Sequence, residues 1–126
     1  MIHMDARAFA REMLKSDPTI RFVAVVTNEY NVLAAEQREG IPRLTSEDME
    51  RNFVSIVPQI IVESVDKLTA FLGKVRGITA HYEKALLVFY KFANMVVVIS
   101  FKPEVATPFY SRITEAFEKH SSQYLS

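Results

Sequence analysis

Three apolar runs near the C-terminal end follow one another with almost no chain between them. Val75–Tyr82, Ala85–Phe92 and Asn94–Phe101 are joined by Glu83-Lys84 and by Ala93-Asn94. A parallel crossover needs a dozen or more residues, so connections this short allow only antiparallel hairpins. The run Met95–Phe101 (MVVVISF) has no polar alternation before Ser100, which places it mid-sheet with both faces covered. Ile20–Thr27 (IRFVAVVT) is equally rich in β-branched residues and reads as another central strand. Asn28–Asn31 is a turn, where Asn tolerates the left-handed region. Its partner Val32–Arg38 fades from VLAA into charge, the usual protection of an exposed edge.

Helical spacing fills the remainder. Ala6, Phe9, Ala10 and Met13 make Asp5–Lys15 a short helix with Asp5 as N-cap, and Ser16-Asp17-Pro18 ends it. Thr45-Ser46-Glu47-Asp48 opens a long helix that Gly73 should stop after Leu72. Pro58 lies inside it, removes a backbone bond to Val54 and predicts a kink or a restart. Pro103 closes the strand run, and Thr107-Pro108 begins a last helix that buries Phe109, Ile113, Ala116, Phe117 and Tyr124. The order is α-β-β-α-β-β-β-α. It predicts one α/β (α+β) domain over residues 1–126, three layers deep around a five-stranded antiparallel sheet.

At 14.4 kDa a compact fold exposes about 6,800 Å² of the roughly 21,000 Å² of its extended chain, enough for one core and no second domain. The longest stretch without a charge, Asn52–Val62, is eleven residues and too short for a membrane span. Asp5, Arg7, Arg11, Glu12 and Lys15 interrupt any signal-peptide core, so a cytoplasmic protein is expected. Zero cysteine excludes disulfides and thiol chemistry. Gly40, Gly73 and Gly77 fit neither a dinucleotide fingerprint nor a P-loop, and no cofactor is expected. Zero net charge argues against nucleic acid, although Tyr82, Phe89, Tyr90, Lys91 and Phe92 interleave aromatic and basic residues.

The element order resembles that of the roadblock-type dynein light-chain domain, a profilin-like fold. Three phrases, Ile20-Arg21-Phe22-Val23, Arg38-Glu39-Gly40-Ile41 and Tyr82-Glu83-Lys84, resemble an uncharacterised archaeal family placed near that group. The resemblance covers about residues 5 to 120. It implies a homodimer joined through the long helix and the strand after it, and a platform or regulator for small Ras-like GTPases. The chain departs from the pattern at Asn28–Asn31, where a glycine turn is common, and at Pro58 in the dimerising helix.

The residues favour a dimer on their own account. A helix on one sheet needs an apolar stripe of about 100°. Met49, Phe53, Val57, Ile61, Val65, Leu68 and Leu72 supply it, and Ile56 and Ile60 widen it beyond that need. The expected interface is Val57, Ile60 and Ile61 with Val75 and Ile78, and the expected partner surface is Tyr82, Lys84, Tyr90 and Lys91. Charge is also divided: residues 28–66 hold eight acids and three bases, residues 67–102 six bases and one acid.

No chemical grouping is evident. His3, His81 and His120 show no ligand spacing, so no metal is expected, and His120 in the last helix turn suits the dipole as a cation. Ser55, Ser64 and Ser100 lack a nucleophile elbow. The sequence therefore points to a non-enzymatic, homodimeric interaction or scaffold module. Two other readings stand beside it: a sensory domain binding a small ligand between sheet and helix, and an enzyme whose cleft gathers two or more of Glu36, Glu39, His81 and Lys84.

Overall fold

The computed structural model describes residues 4–102 and 109–126. Its elements are α1 (Ala6–Ser16), β1 (Ile20–Thr27), β2 (Val32–Gln37), α2 (Glu47–Asp66), α3 (Thr69–Leu72), β3 (Ile78–His81), β4 (Leu86–Phe92), β5 (Met95–Phe101) and α4 (Phe109–Tyr124). The strands form one antiparallel sheet in the order β2-β1-β5-β4-β3. The most apolar run, β5, is thus the middle strand, and the charge-fading β2 is an edge. Pro103, Thr107 and Pro108 fall outside the described residues, as does the side chain of Phe109.

Strand alternation sorts the core into two layers. Val23, Val25, Val97 and Ile99 face α1 and α4, where they meet Phe9, Met13, Ile113 and Phe117. The rings of Phe9 and Phe117 stand edge to face at 6.3 Å. Phe22, Ala24, Val26, Phe89, Val96 and Val98 face α2 through Val54 and Val62. Burial on both sides is why the central strands carry no polar alternation. Arg38 ties the first layer together by donating to the carbonyls of Leu14, Asp17 and Ile20.

Several local expectations are corrected. α2 passes through the buried Pro58 without restarting, yet it ends at Asp66 instead of continuing to Leu72. The Leu68 N–H turns back to Val65 O at 3.3 Å, the Thr69 hydroxyl reaches Asp66, and a separate single turn follows. Gly73, at φ +84°, stops that turn. Val75 precedes β3, which begins only at Ile78. In the turn after β1 the left-handed residue is Tyr30 (φ +66°), not an asparagine, because the Thr27 hydroxyl accepts from both Glu29 N and Asn31 N and sets the turn.

Candidate functional site

The long helix buries one side and leaves the other bare. Phe53, Val54, Ile61 and Val62 face the sheet. Met49, Ile56 and Ile60, at intervals of seven and four, form an outward ridge that is 65, 49 and 53% exposed. The apolar surface continues through Leu68 into α3, where Phe71 and Leu72 are largely in water. Beyond lies β3, which among the described residues is an edge strand paired only with β4.

The five expected interface residues are distributed around this region. Ile60 is on the ridge and Val57 is half-buried on its flank. Ile61 and Ile78 are half-buried against the same layer of the core, and Val75 lies in the connection before β3. Ile56, Phe71 and Leu72 belong to the bare surface as well.

The expected partner surface is partly corrected. Tyr90 is 3% exposed, stacked at 4.3 Å on Phe117, and its hydroxyl meets Thr114 Oγ1 at 3.1 Å. Its neighbour Lys91 points to the opposite face, toward α2, and pairs with Asp66. Consecutive strand residues cannot share a face. Tyr82 and Lys84 remain together at the exposed tip of the β3–β4 hairpin, closed by Tyr82 N to Ala85 O at 2.8 Å.

The groups considered for catalysis are dispersed. Glu36 on β2 accepts from Arg7 at 2.9 Å and lies 3.6 Å from Arg11. His81 is on β3, at the other edge, roughly 19 Å away by strand spacing. Among the described residues no three His, Asp or Glu side chains gather as metal ligands. His3 lies outside the described residues.

A trough separates the sheet from the N-terminal half of α2. It has a volume of about 410 Å³, with Phe22, Val98 and Leu87 as floor and Phe53 and Val54 as roof. Arg21, Lys84 and Ser100 also reach it. The sequence predicts a space between sheet and helix and offers Lys84 for a cleft, but not the other lining residues. The signal for Arg21 is a β-bulge: Ile20 pairs with Phe101 and Phe22 with Ser100, so Arg21 is the extra residue and its side chain is re-aimed toward α2.

Two titratable groups, the half-buried His120 and the buried Asp17, respond to acid. The cation that would suit the dipole at His120 is disfavoured, because its Nδ1 is buried with no hydrogen-bond partner among the described residues. Burial, reinforced by Lys119 and opposed by Glu12, holds its pKa below 6.5. Burial would raise Asp17, but the Thr19 hydroxyl and N–H and the Arg112 guanidinium outweigh it and hold Asp17 below 3.8. In both cases the unfolded chain binds protons first as pH falls, so stability drops with acidification. The expected result is a melting temperature that declines once pH passes below 6.5, for His120, and declines again below 3.8, for Asp17. His120→Phe should remove the first decline in a circular-dichroism pH series and leave the second.

No protein-family model matches the sequence, and no curated protein matches it. Solved structures do. The Roadblock/LC7 domain from Streptomyces avermitilis superposes over 96% of this chain and 98% of its own, at TM-score 0.72 and 10% identity. The fold is that of a roadblock domain. MglB of Myxococcus xanthus covers 94% of this chain and 89% of its own at TM-score 0.71 and 12% identity. The gliding protein MglB from Thermus thermophilus covers 91% and 87% at TM-score 0.62 and 15% identity. At such identities the roadblock likeness is one of architecture, and the surface residues of this chain must be argued for themselves. No helix among the described residues is long and apolar enough to cross a membrane.

Proposed function

We propose that this roadblock-like chain is a non-enzymatic homodimeric interaction module, a scaffold or regulatory partner of a small Ras-like GTPase. The observation that carries the proposal is the bare apolar ridge of α2, Ile56 and Ile60 above all, beside the open edge of β3. Burying one such side chain stabilises by about 1.5–3 kcal/mol before association costs. In a two-fold dimer each residue counts twice, and two β3 edges that meet satisfy each other's free backbone groups. Val57, Ile60, Ile61 and Ile78, with Val75 at the border, form the proposed contact. Tyr82 and Lys84 at the β3–β4 tip remain for a second protein, whereas Lys91, at the other end of β4 and paired with Asp66, lies apart from them.

The regulatory part of the proposal rests on the roadblock resemblance, in which GTPase platforms are frequent. An MglB "with tetrameric arrangement" shares the fold at TM-score 0.67 and 13% identity, which supports assembly as a habit of the architecture. The closeness to an archaeal group rests on the three short phrases in the sequence. Sedimentation velocity over a hundredfold dilution tests the central claim. Dimer in the micromolar range is expected, and a monomer at every concentration ends the proposal. Affinity capture from the native cell that returns no nucleotide-binding protein removes its GTPase part.

A further inference from the structure

We propose that the trough between the sheet and α2 binds a small amphiphilic anion, a carboxylate carrying an aliphatic or aromatic tail. Its volume of about 410 Å³ falls in the usual range of small-molecule sites. The floor and roof described above are apolar, which suits a tail. Apart from Ser100 on the central strand β5, the polar groups are at the margin, which suits a head.

Charge decides the kind of head. Glu50 is the one acid lining the trough, and Arg43 already holds it at 2.9 Å. The guanidinium of Arg21 donates to the backbone carbonyl of Pro42 at 2.9 Å, which orients it without neutralising it. Lys84 has no carboxylate partner among the described residues. The margin therefore carries uncompensated positive charge, and a planar, oriented guanidinium is a good receptor for a carboxylate.

A small molecule fits better than a peptide. The lining residues run from Gln37 on β2 to Leu87 on β4, a width of about 14 Å at the usual strand spacing. Its floor strands, β1, β5 and β4, are each paired on both sides, and the edge strand β2 reaches it only through Gln37. A peptide laid there would find no free strand edge to satisfy its own N–H and C=O groups. A hydrocarbon tail has no such requirement. Ile56 and Ile60 do not line the trough, although Met49 at the N-terminal end of the same ridge does.

Titration of the full chain with decanoate, followed by amide NMR, tests the assignment, with decanol as the uncharged control. Saturable shifts are expected at Phe53, Leu87 and Val98, with decanoate about tenfold tighter than decanol. Arg21→Gln, at a half-buried position, and Lys84→Gln, at an exposed one, remove no core side chain and should leave the spectrum folded. The variant that removes the head's receptor should weaken decanoate about tenfold and leave decanol unchanged. Ser100→Leu, which fills the floor, should weaken both probes. Equal affinity for the two probes, indifference to both charge variants, or shifts confined to Ile56 and Ile60 would overturn the assignment. So would a trough that accepts an acidic peptide and refuses decanoate.

Discussion

Ile60→Asp is expected to leave the chain folded and to split the proposed dimer. Ile60 is 53% exposed, so in the lone chain an aspartate there stands in water and costs only a few tenths of a kcal/mol in helix propensity. Across a two-fold axis the same substitution acts twice. It removes two aliphatic contacts and forces two like charges toward each other out of solvent. Loss of the two contacts alone amounts to about 3–6 kcal/mol, or a factor of at least a hundred in the dissociation constant. Sedimentation should show monomer at concentrations where the parent chain is dimeric, with an unchanged circular-dichroism spectrum. A dimer that survives the substitution would place the interface elsewhere, for instance on Phe71 and Leu72 alone.

The surplus of Ile56 and Ile60 is legible in the sequence, but the line that α2 buries is Val54, Pro58, Gln59 and Val62, while Met49, Val65, Leu68 and Leu72 of the expected stripe stand exposed. The same logic of face and period located all five strands, since hairpin connections and β-branched runs are local signals. Other features depend on what lies opposite. Val75 looks like strand, but β3 waits until Ile78. A Cβ on Gly77 would come within 3.3 Å of the Tyr90 ring, a close approach that no period-two pattern reveals. Tyr90 is expected at a partner surface from its place near the hairpins of the outer strands, but its ring is buried and its hydroxyl meets Thr114 of α4. His120 was read from its helix position, whereas its environment is set by α1 and by Tyr124, whose ring lies 6.2 Å away. The trough and the bulge at Arg21 arise from strand register and from the loop holding Pro42, neither of which is encoded in a short window.

Arg38→Met should cause the largest loss of stability of any surface-accessible change in the first layer. Its Nε donates to Ile20 O at 2.7 Å, and its Nη2 to Asp17 O at 2.8 Å and to Leu14 O. Leu14 belongs to the last turn of α1, whose carbonyls have no partner within the helix, and Asp17 is its C-cap. One guanidinium thus fastens the end of α1, the connection and the start of β1 to β2. The arginine of the Arg38-Glu39-Gly40-Ile41 phrase is accounted for by this role alone. Methionine keeps much of the stem packing but leaves those carbonyls without a charged donor. At about 1–1.5 kcal/mol net for each partly exposed bond, the loss is about 3 kcal/mol, a fall of roughly 10 °C in melting temperature. Urea unfolding of the parent and of Arg38→Met measures it. Arg38→Lys supplies charge without the planar fork and should recover less than half of the loss. Full recovery by lysine would mean that charge near the helix terminus, and not the three-way geometry, holds α1 to the sheet.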